Sequence, residues 1–345
     1  MTTDSTRLQN ILNKAIDNKL IFGTSVSIRR GDFIWSGVSG NFTMNRQFYI
    51  ASTTKLFVTA MLLQAEEKGL LNREDLISKY LTSAIMNGLH VLNNTEYAEG
   101  LTIENLMAHT SGIPDYFQQK RANGISLETE LLKGNDLAWS TEQCVDDSKK
   151  MKPAFAPGTK GKALYSDTNY QLLGKILETI HGNDFGTLVQ DLICQPIGLK
   201  NTYLYSDIQD KQPQDMYFKN NPLLIPKAMV SFGSDGGIVS TSEELLQFTQ
   251  AFFGGAFFSK DLISGLKQWN RIFFPLESGI GIHRFKLPWF FSPFKAFPEL
   301  IGHSGLSGAF AFYCPVKDLY LAGTVNQISQ PQISYRLMLK LMSEF

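Results

Sequence analysis

Apolar residues recur three and four positions apart over residues 7–18, the spacing of a helix with one buried face. Two alternating runs follow, 24–29 and 32–36, with Gly31-Asp32 near the turn, as in a hairpin. A short strand-like run, Phe48-Tyr49-Ile50, leads into a long apolar stretch over 56–68 that reads as a helix. From there to about residue 225 helical spacing dominates, at 103–108, 141–149, 169–181 and 185–194. Thr241-Ser242-Glu243-Glu244 then fits a T-x-x-E capping box, whose two side chains satisfy free N–H groups at a helix start. Strand-like runs at 279–285, 309–314 and 319–326 precede a last amphipathic helix over 332–342. Strands therefore sit at both ends of the chain and helices fill the middle. The simplest packing is an α/β (α+β) fold: an antiparallel sheet flanked by helices, built from residues 1–55 and 226–345, with an inserted all-helical domain over 56–225.

Composition narrows the function. At 345 residues the chain predicts one large domain or two intimately packed ones. Lys+Arg and Asp+Glu both total 32, and a formal net charge of zero argues against nucleic acid as a partner, since phosphate binding needs a basic excess. Cys144, Cys194 and Cys314 are far apart and form no C-x-x-C, so they read as reduced structural thiols. Residues 1–20 lack an apolar core of signal-peptide length, which predicts a cytoplasmic protein, with a removed leader as the alternative. There is no run of about 18 apolar residues, so no membrane span is expected. The five histidines show neither H-x-x-H nor H-E-x-x-H spacing, which predicts no metal site. The aromatic segment 288–297 is too short and proline-broken to span a bilayer. It reads as core or lid, with a part in lining an acyl pocket as the alternative.

The candidate chemistry begins at Ser52-Thr53-Thr54-Lys55, an S-x-x-K. Residues three apart share a helix face, so the lysine amine sits beside the serine hydroxyl. A hydroxyl is a weak nucleophile until a neighbouring group takes its proton. Taken alone, the tetrad reads as an N-cap serine with a solvated lysine. Two further clusters change that. Tyr165-Ser166-Asp167 places a tyrosine at a helix mouth, where a phenolate stabilised by an ammonium could shuttle the serine proton. Gly302-His303-Ser304-Gly305 precedes a strand-like run, and its small residues would let backbone approach a substrate. A backbone N–H there, with that of Ser52, would make an oxyanion hole.

With these three motifs in order, the chain resembles the serine hydrolase group that includes class C β-lactamases, D-alanyl-D-alanine carboxypeptidases and related esterases. In that branch the second motif is Y-x-N and the third K-T-G or H-x-G. Leu106-Met107-Ala108-His109-Thr110-Ser111-Gly112-Ile113-Pro114-Asp115-Tyr116, Pro157-Gly158 and Gly236-Gly237-Ile238-Val239-Ser240-Thr241 also match the family in style and order. The resemblance covers nearly the whole chain. It implies a β-lactamase/transpeptidase-like fold with the site in a cleft, and hydrolysis of a small-molecule acyl substrate without a cofactor. It makes Ser52 the nucleophile, Lys55 its partner base and Tyr165 the second proton shuttle. Asp167, His303, Ser304, Gly305 and Leu306 are the implied substrate-binding positions, Leu306 offering the second oxyanion N–H. His109 is read as ordering its loop.

Two positions depart from the family. Asp167 stands where an asparagine is usual, and a carboxylate cannot donate to a substrate carbonyl. It could instead pair with Lys55 and hold it protonated, which shifts weight to Tyr165. A second register reads Ser166-Asp167-Thr168 as an imperfect S-D-N. His303 stands in place of lysine, and a neutral imidazole attracts a carboxylate less strongly. The expected substrates are therefore small esters or peptide-like amides. β-Lactamase or D-Ala-D-Ala carboxypeptidase activity is the alternative, and a catalytically weak acyl-binding protein is a second one. The oligomeric state is left open.

Overall fold

Both ends of the chain meet in one eight-stranded sheet. The computed structural model describes residues 4–287, 297–330 and 332–345. The sheet takes β1 (Gly23–Arg30) and β2 (Phe33–Gly40) from the N-terminal part. From the C-terminal part it takes β10 (Asn270–Phe273), β11 (Leu276–Ser278), β12 (His283–Phe285), β13 (Leu300–Ser304), β14 (Ala309–Cys314) and β15 (Leu319–Thr324). Their order is β10-β11-β12-β13-β14-β15-β1-β2, and every neighbouring pair is antiparallel. A small second sheet, β3 (Phe48–Tyr49), β9 (Ile238–Ser240) and β6 (Tyr203–Leu204), ties the segment before Ser52 to the segment after Asp235.

Helices α1 (Ser5–Ala15) and α13 (Gln332–Met342) cover one face of the large sheet. Leu8 and Leu12 of α1 join Leu337, Met338 and Leu341 of α13 over Val26, Ile28, Phe310, Phe312 and Leu321. On the other face lies α11 (Ser242–Gly254), and the Ser25 and Ser27 hydroxyls each reach Ser242 Oγ at 2.9 Å. Between the sheet and the mainly helical middle runs α2 (Thr54–Glu67), in which every residue from Thr54 to Ala65 is buried. A helix apolar on all sides has to be an internal one, and Phe57 of α2 stacks on Phe248 of α11 at 3.7 Å. Burying such a ring contributes about 1.5–3 kcal/mol.

The middle segment carries α3 (Ser83–Met86), α4 (Ile103–Met107), α5 (Leu127–Leu132), α6 (Thr141–Lys149), α7 (Asp167–His181), α8 (Phe185–Val189) and α9 (Gln195–Ile197), with α10 (Pro226–Phe232) after it and α12 (Asp261–Gly265) past α11. It is not wholly helical: the hairpins β4 (Val91–Leu92) with β5 (Thr95–Glu96) and β7 (Met216–Phe218) with β8 (Asn221–Leu223) interrupt it. Of the run 279–285, expected to be one strand, only His283–Phe285 is strand, as β12, and 279–282 form the connection from β11. That connection turns at Gly279–Gly281. Gly281 sits at φ +72°, a conformation that suits glycine, and its carbonyl accepts from Thr59 Oγ1 of α2 at 2.9 Å. Of the aromatic segment, all but Phe297 lies outside the described residues. Cys144, Cys194 and Cys314 are buried free thiols. Among the described residues no helix is long and apolar enough to cross a membrane.

One contact seats the large sheet against the motif serine. Strand β13 ends at Ser304, and a Cβ on Gly305 would lie 2.3 Å from the Ile50 carbonyl oxygen and 3.0 Å from the Ala51 Cβ. Backbone oxygen cannot give way as a flexible side chain can, so this approach requires glycine. Gly305→Ala is expected to destabilise the protein by about 1–3 kcal/mol through overpacking, read as a lower urea midpoint. An unchanged midpoint would show that β13 is not seated there.

Candidate active site

Ser52 lies in a 3₁₀ turn, Ala51–Thr53, directly ahead of α2 rather than inside the α-helix. Residues three apart eclipse in such a turn, so Ser52 and Lys55 still share a face. Ala51 holds φ +46°, unusual for a residue with a Cβ. Backbone held in sparsely populated conformations clusters at functional sites, where surrounding structure enforces it. Here the enforcing contacts are Ile50 N–H to the Ile238 carbonyl at 3.0 Å and Thr53 N–H to the Ile50 carbonyl at 3.1 Å.

Lys55 is fully buried. Its ammonium donates to Asp167 Oδ1 and to the Asp235 carbonyl, each at 2.6 Å. The pairing of Lys55 with Asp167 that the sequence raised is thus present, and the aspartate that replaces asparagine serves the lysine. Asp167 is the first residue of α7, where the positive end of the helix dipole favours a carboxylate. Its own N–H donates to Asp115 Oδ1 at 3.0 Å. Two more buried carboxyl groups surround the pair, and one ammonium cannot balance three carboxylates. Burial and then the charge of Asp167 push Asp115 up to about 7 and Asp235 well above the usual carboxylate range. Asp235 Oδ2 is held by the Tyr116 hydroxyl at 2.7 Å and the Gln171 amide at 3.0 Å.

Tyr165 and Ser52 line the same cavity, and the influence of the Ser52 side chain on the phenol is to lower its value. Burial, followed by the Asp167 charge, holds this phenol well above its ordinary value. The resting tyrosine is therefore a phenol and not the phenolate considered from sequence, chiefly because it is buried. Lys55 Nζ lies 5.1 Å from the Tyr165 ring centre. His109 orders this loop, as expected. Its carbonyl accepts from Leu164 N–H at 2.9 Å, its Nδ1 accepts from Ser166 N–H at 3.1 Å, and its ring lies 4.5 Å from that of Tyr165. Ser166, the hydroxyl of the imperfect S-D-N register, donates to the Pro114 carbonyl at 3.1 Å.

His303 and Ser304 are the last residues of β13, so the third motif ends one strand as well as preceding the next, β14. A carbonyl can only accept, so the 2.8 Å contact of His303 Nδ1 with the Ser304 carbonyl places the proton on Nδ1. Nε2 then presents a lone pair. Burial first, then neighbouring His283 and Lys55, keep the His303 ring well below the usual histidine range. His283 stacks on it at 3.8 Å, and burial lowers its own value to about 3. Both rings are neutral at pH 7. Ser304 Oγ meets the Tyr335 hydroxyl at 2.6 Å, and the Gly305 N–H is used by the Ala309 carbonyl at 2.8 Å.

Ser52, Tyr165, Asp167, His303, Ser304, Gly305 and Leu306 all line one cavity of about 270 Å³, and Lys55 lies buried beneath it. The structure brings every sequence-derived site residue together. It adds His283, Asp235 and Glu128, which the motifs did not pick out. Asp235 adjoins the Gly236-Gly237 segment, and that adjacency was its one sequence signal. His283 faces Gly302 across the β12–β13 register, a pairing visible only once the strands are aligned.

The profile of the Beta-lactamase family matches residues 9–333. The Putative penicillin-binding protein PbpX of Bacillus subtilis (strain 168) is 24% identical over 291 residues, covering 79% of this chain and 65% of that protein. The match thus spans slightly under two thirds of that relative's length. A D-stereospecific amidohydrolase from Streptomyces sp. superposes with a TM-score of 0.78 at 23% identity, over 96% of this chain and 98% of that one. EstCE1, described as a hydrolase with promiscuous acyltransferase activity, gives 0.80 at 18% identity, over 99% and 97%. At such identities these two structures establish a shared fold. The family profile runs from within α1 to the start of α13 and takes in all three motifs, so this chain belongs to the Beta-lactamase family.

Proposed function

We propose that the protein is a serine hydrolase that cleaves small esters or peptide-like amides through an acyl-enzyme on Ser52. The observation that carries this reading is that Ser52 and Tyr165 line one cavity, with the buried Lys55 ammonium 5.1 Å from the Tyr165 ring and paired with Asp167. A lysine bound to two acceptors is not a free base, and a phenol pushed upward is not one either. The chemistry that fits both is a relay. As Ser52 Oγ attacks the acyl carbon, its proton passes to the Tyr165 oxygen, and the phenolic proton passes to the leaving oxygen or nitrogen. One O–H bond breaks and one forms at tyrosine, so no phenolate accumulates. The Lys55 charge stabilises negative charge developing on the oxygens above it. The backbone N–H groups of Ser52 and Leu306 receive the carbonyl oxygen. Water then reverses the relay and frees the acid.

A β-lactamase or carboxypeptidase reading draws on the relative named a penicillin-binding protein. Substrates of those activities carry a carboxylate. Here Nε2 of a neutral His303 offers a lone pair, and Asp167, Asp235 and Glu128 line the same cavity. Among the described residues no lysine or arginine lines it.

Three outcomes test the proposal. Ser52→Ala is expected to lower kcat for p-nitrophenyl esters by at least about 10³-fold, a barrier increase of about 4 kcal/mol, while thermal unfolding stays in place. Retained turnover removes Ser52 from the chemistry. Tyr165→Phe keeps the packed ring and loses the relay oxygen, so single-turnover acylation should slow by roughly 10² or more. An undiminished rate excludes the relay. Finally, kcat/KM for a p-nitrophenyl ester should exceed that for a chromogenic cephalosporin by on the order of 10², because two charge-assisted contacts worth about 1.5–3 kcal/mol each are missing. A faster cephalosporin reaction supports the β-lactamase reading instead.

A further inference from the structure

The cavity beside Ser52 has a wall that the hydrolytic chemistry does not use. It is built from α5, the β7–β8 hairpin, α10 and the segment after β15, and is formed by Leu131, Met216, Ile225, Met229, Phe232 and Ile328. These side chains belong to a hydrophobic cluster separate from those around α2 and under α1. One charged side chain interrupts the wall. Glu128, the second residue of α5, is half-buried and lines the cavity.

Its surroundings do not account for a carboxylate. The Gln118 amide donates to Oε1 at 3.2 Å, and Glu128 forms no ion pair with any described residue. The charge acting on it is that of another carboxylate, Asp167, which adds to burial in making ionisation costlier. A carboxylate in the first turn of a helix can serve the helix dipole, but α5 has a second acid there. Glu130 is turned outward, bound by Lys133 at 2.9 Å and Asn135 at 2.7 Å, and meets that role at the surface. Glu128 instead faces the cavity with acceptor capacity unused by any cation of the described residues. A half-buried carboxylate without a counter-charge is costly to keep, and a bound cation would offset that cost.

We propose that Glu128 is a specificity-determining residue that selects substrates whose apolar acyl arm carries a cationic group, such as a primary ammonium. The apolar wall accommodates the methylene stem and Glu128 accepts hydrogen bonds from the charged end, as long amine side chains bury their stems elsewhere in proteins. An acyl arm bearing a carboxylate meets like charge from Glu128 and Asp167. This inference rests on the hydrolase reading and names its substrate class.

The test uses the full chain and three p-nitrophenyl esters of equal chain length: hexanoate, 6-aminohexanoate and the hemi-ester of adipate. In Glu128→Gln the ratio of kcat/KM for the amino ester to that for hexanoate is expected to fall by about tenfold or more, carried mainly by KM, the scale of one lost charge-assisted hydrogen bond. Glu128→Lys should move the preference toward the adipate hemi-ester, and this second variant guards against a general loss of activity in the first. If hexanoate is hydrolysed in a Ser52-dependent way but neither variant changes the ratios, the Glu128 inference falls and the hydrolase reading stands. If the wild type hydrolyses none of the three esters, both fall.

Discussion

The fully buried ammonium of Lys55 is the group on which the rest of the site depends. It comes from α2, the helix packed between sheet and helical middle, and it is met by Asp167 at the start of α7 and by the Asp235 carbonyl ahead of β9. Three separate stretches of chain converge on one charge. Removing one partner of a buried pair typically costs about 3–5 kcal/mol because the other is left uncompensated. The segment around His109, Pro114 and Asp115 then grips the first turn of α7 through the Ser166 and Asp167 N–H groups and the Ser166 and Thr168 hydroxyls. The position of Tyr165 follows from that grip.

The same charge sets the protonation pattern. With Asp167 paired to the lysine, Asp115 and Asp235 are pushed toward the neutral form. Burial keeps Tyr165 a phenol and His109, His283 and His303 neutral imidazoles. For histidines lowered by folding, the stability contribution is complete above their unfolded value of about 6.5 and is lost as pH falls toward the folded values. The raised aspartates act in the opposite sense, favouring the fold at low pH and opposing it as pH rises. A site of neutral donors and acceptors around one sequestered ion pair suits proton relay better than capture of an anionic substrate.

The motifs made much of this site legible, because S-x-x-K, Y-x-N-like and H-x-G patterns specify local turns that bring defined atoms to defined places. The Asp167–Lys55 pairing was legible too, since a carboxylate in an asparagine position invites a cation. Long-range register was not. Gly279 to Phe285 alternates like one strand, but its first four residues form a turn, where the Gly281 carbonyl accepts from Thr59 of α2, and only His283–Phe285 is strand. His283 reaches the site by that turn and by pairing with Gly302, neither of which local spacing encodes. No sequence motif marks Glu128. Its orientation depends on the α5, α10 and hairpin packing that forms the apolar wall. The protonation of Tyr165 was missed for a similar reason: pattern places a phenol near an ammonium, but burial decides whether it ionises.

The central claim is a covalent intermediate on Ser52 formed by way of Tyr165. It is tested most directly by quenching the protein within milliseconds of mixing with a slowly hydrolysed ester, followed by intact-mass measurement and peptide mapping. The account predicts one adduct with the mass of the acyl group, carried by the peptide that contains Ser52 and accumulating more slowly in Tyr165→Phe. Turnover without any adduct, or an adduct on a peptide lacking Ser52, would contradict it.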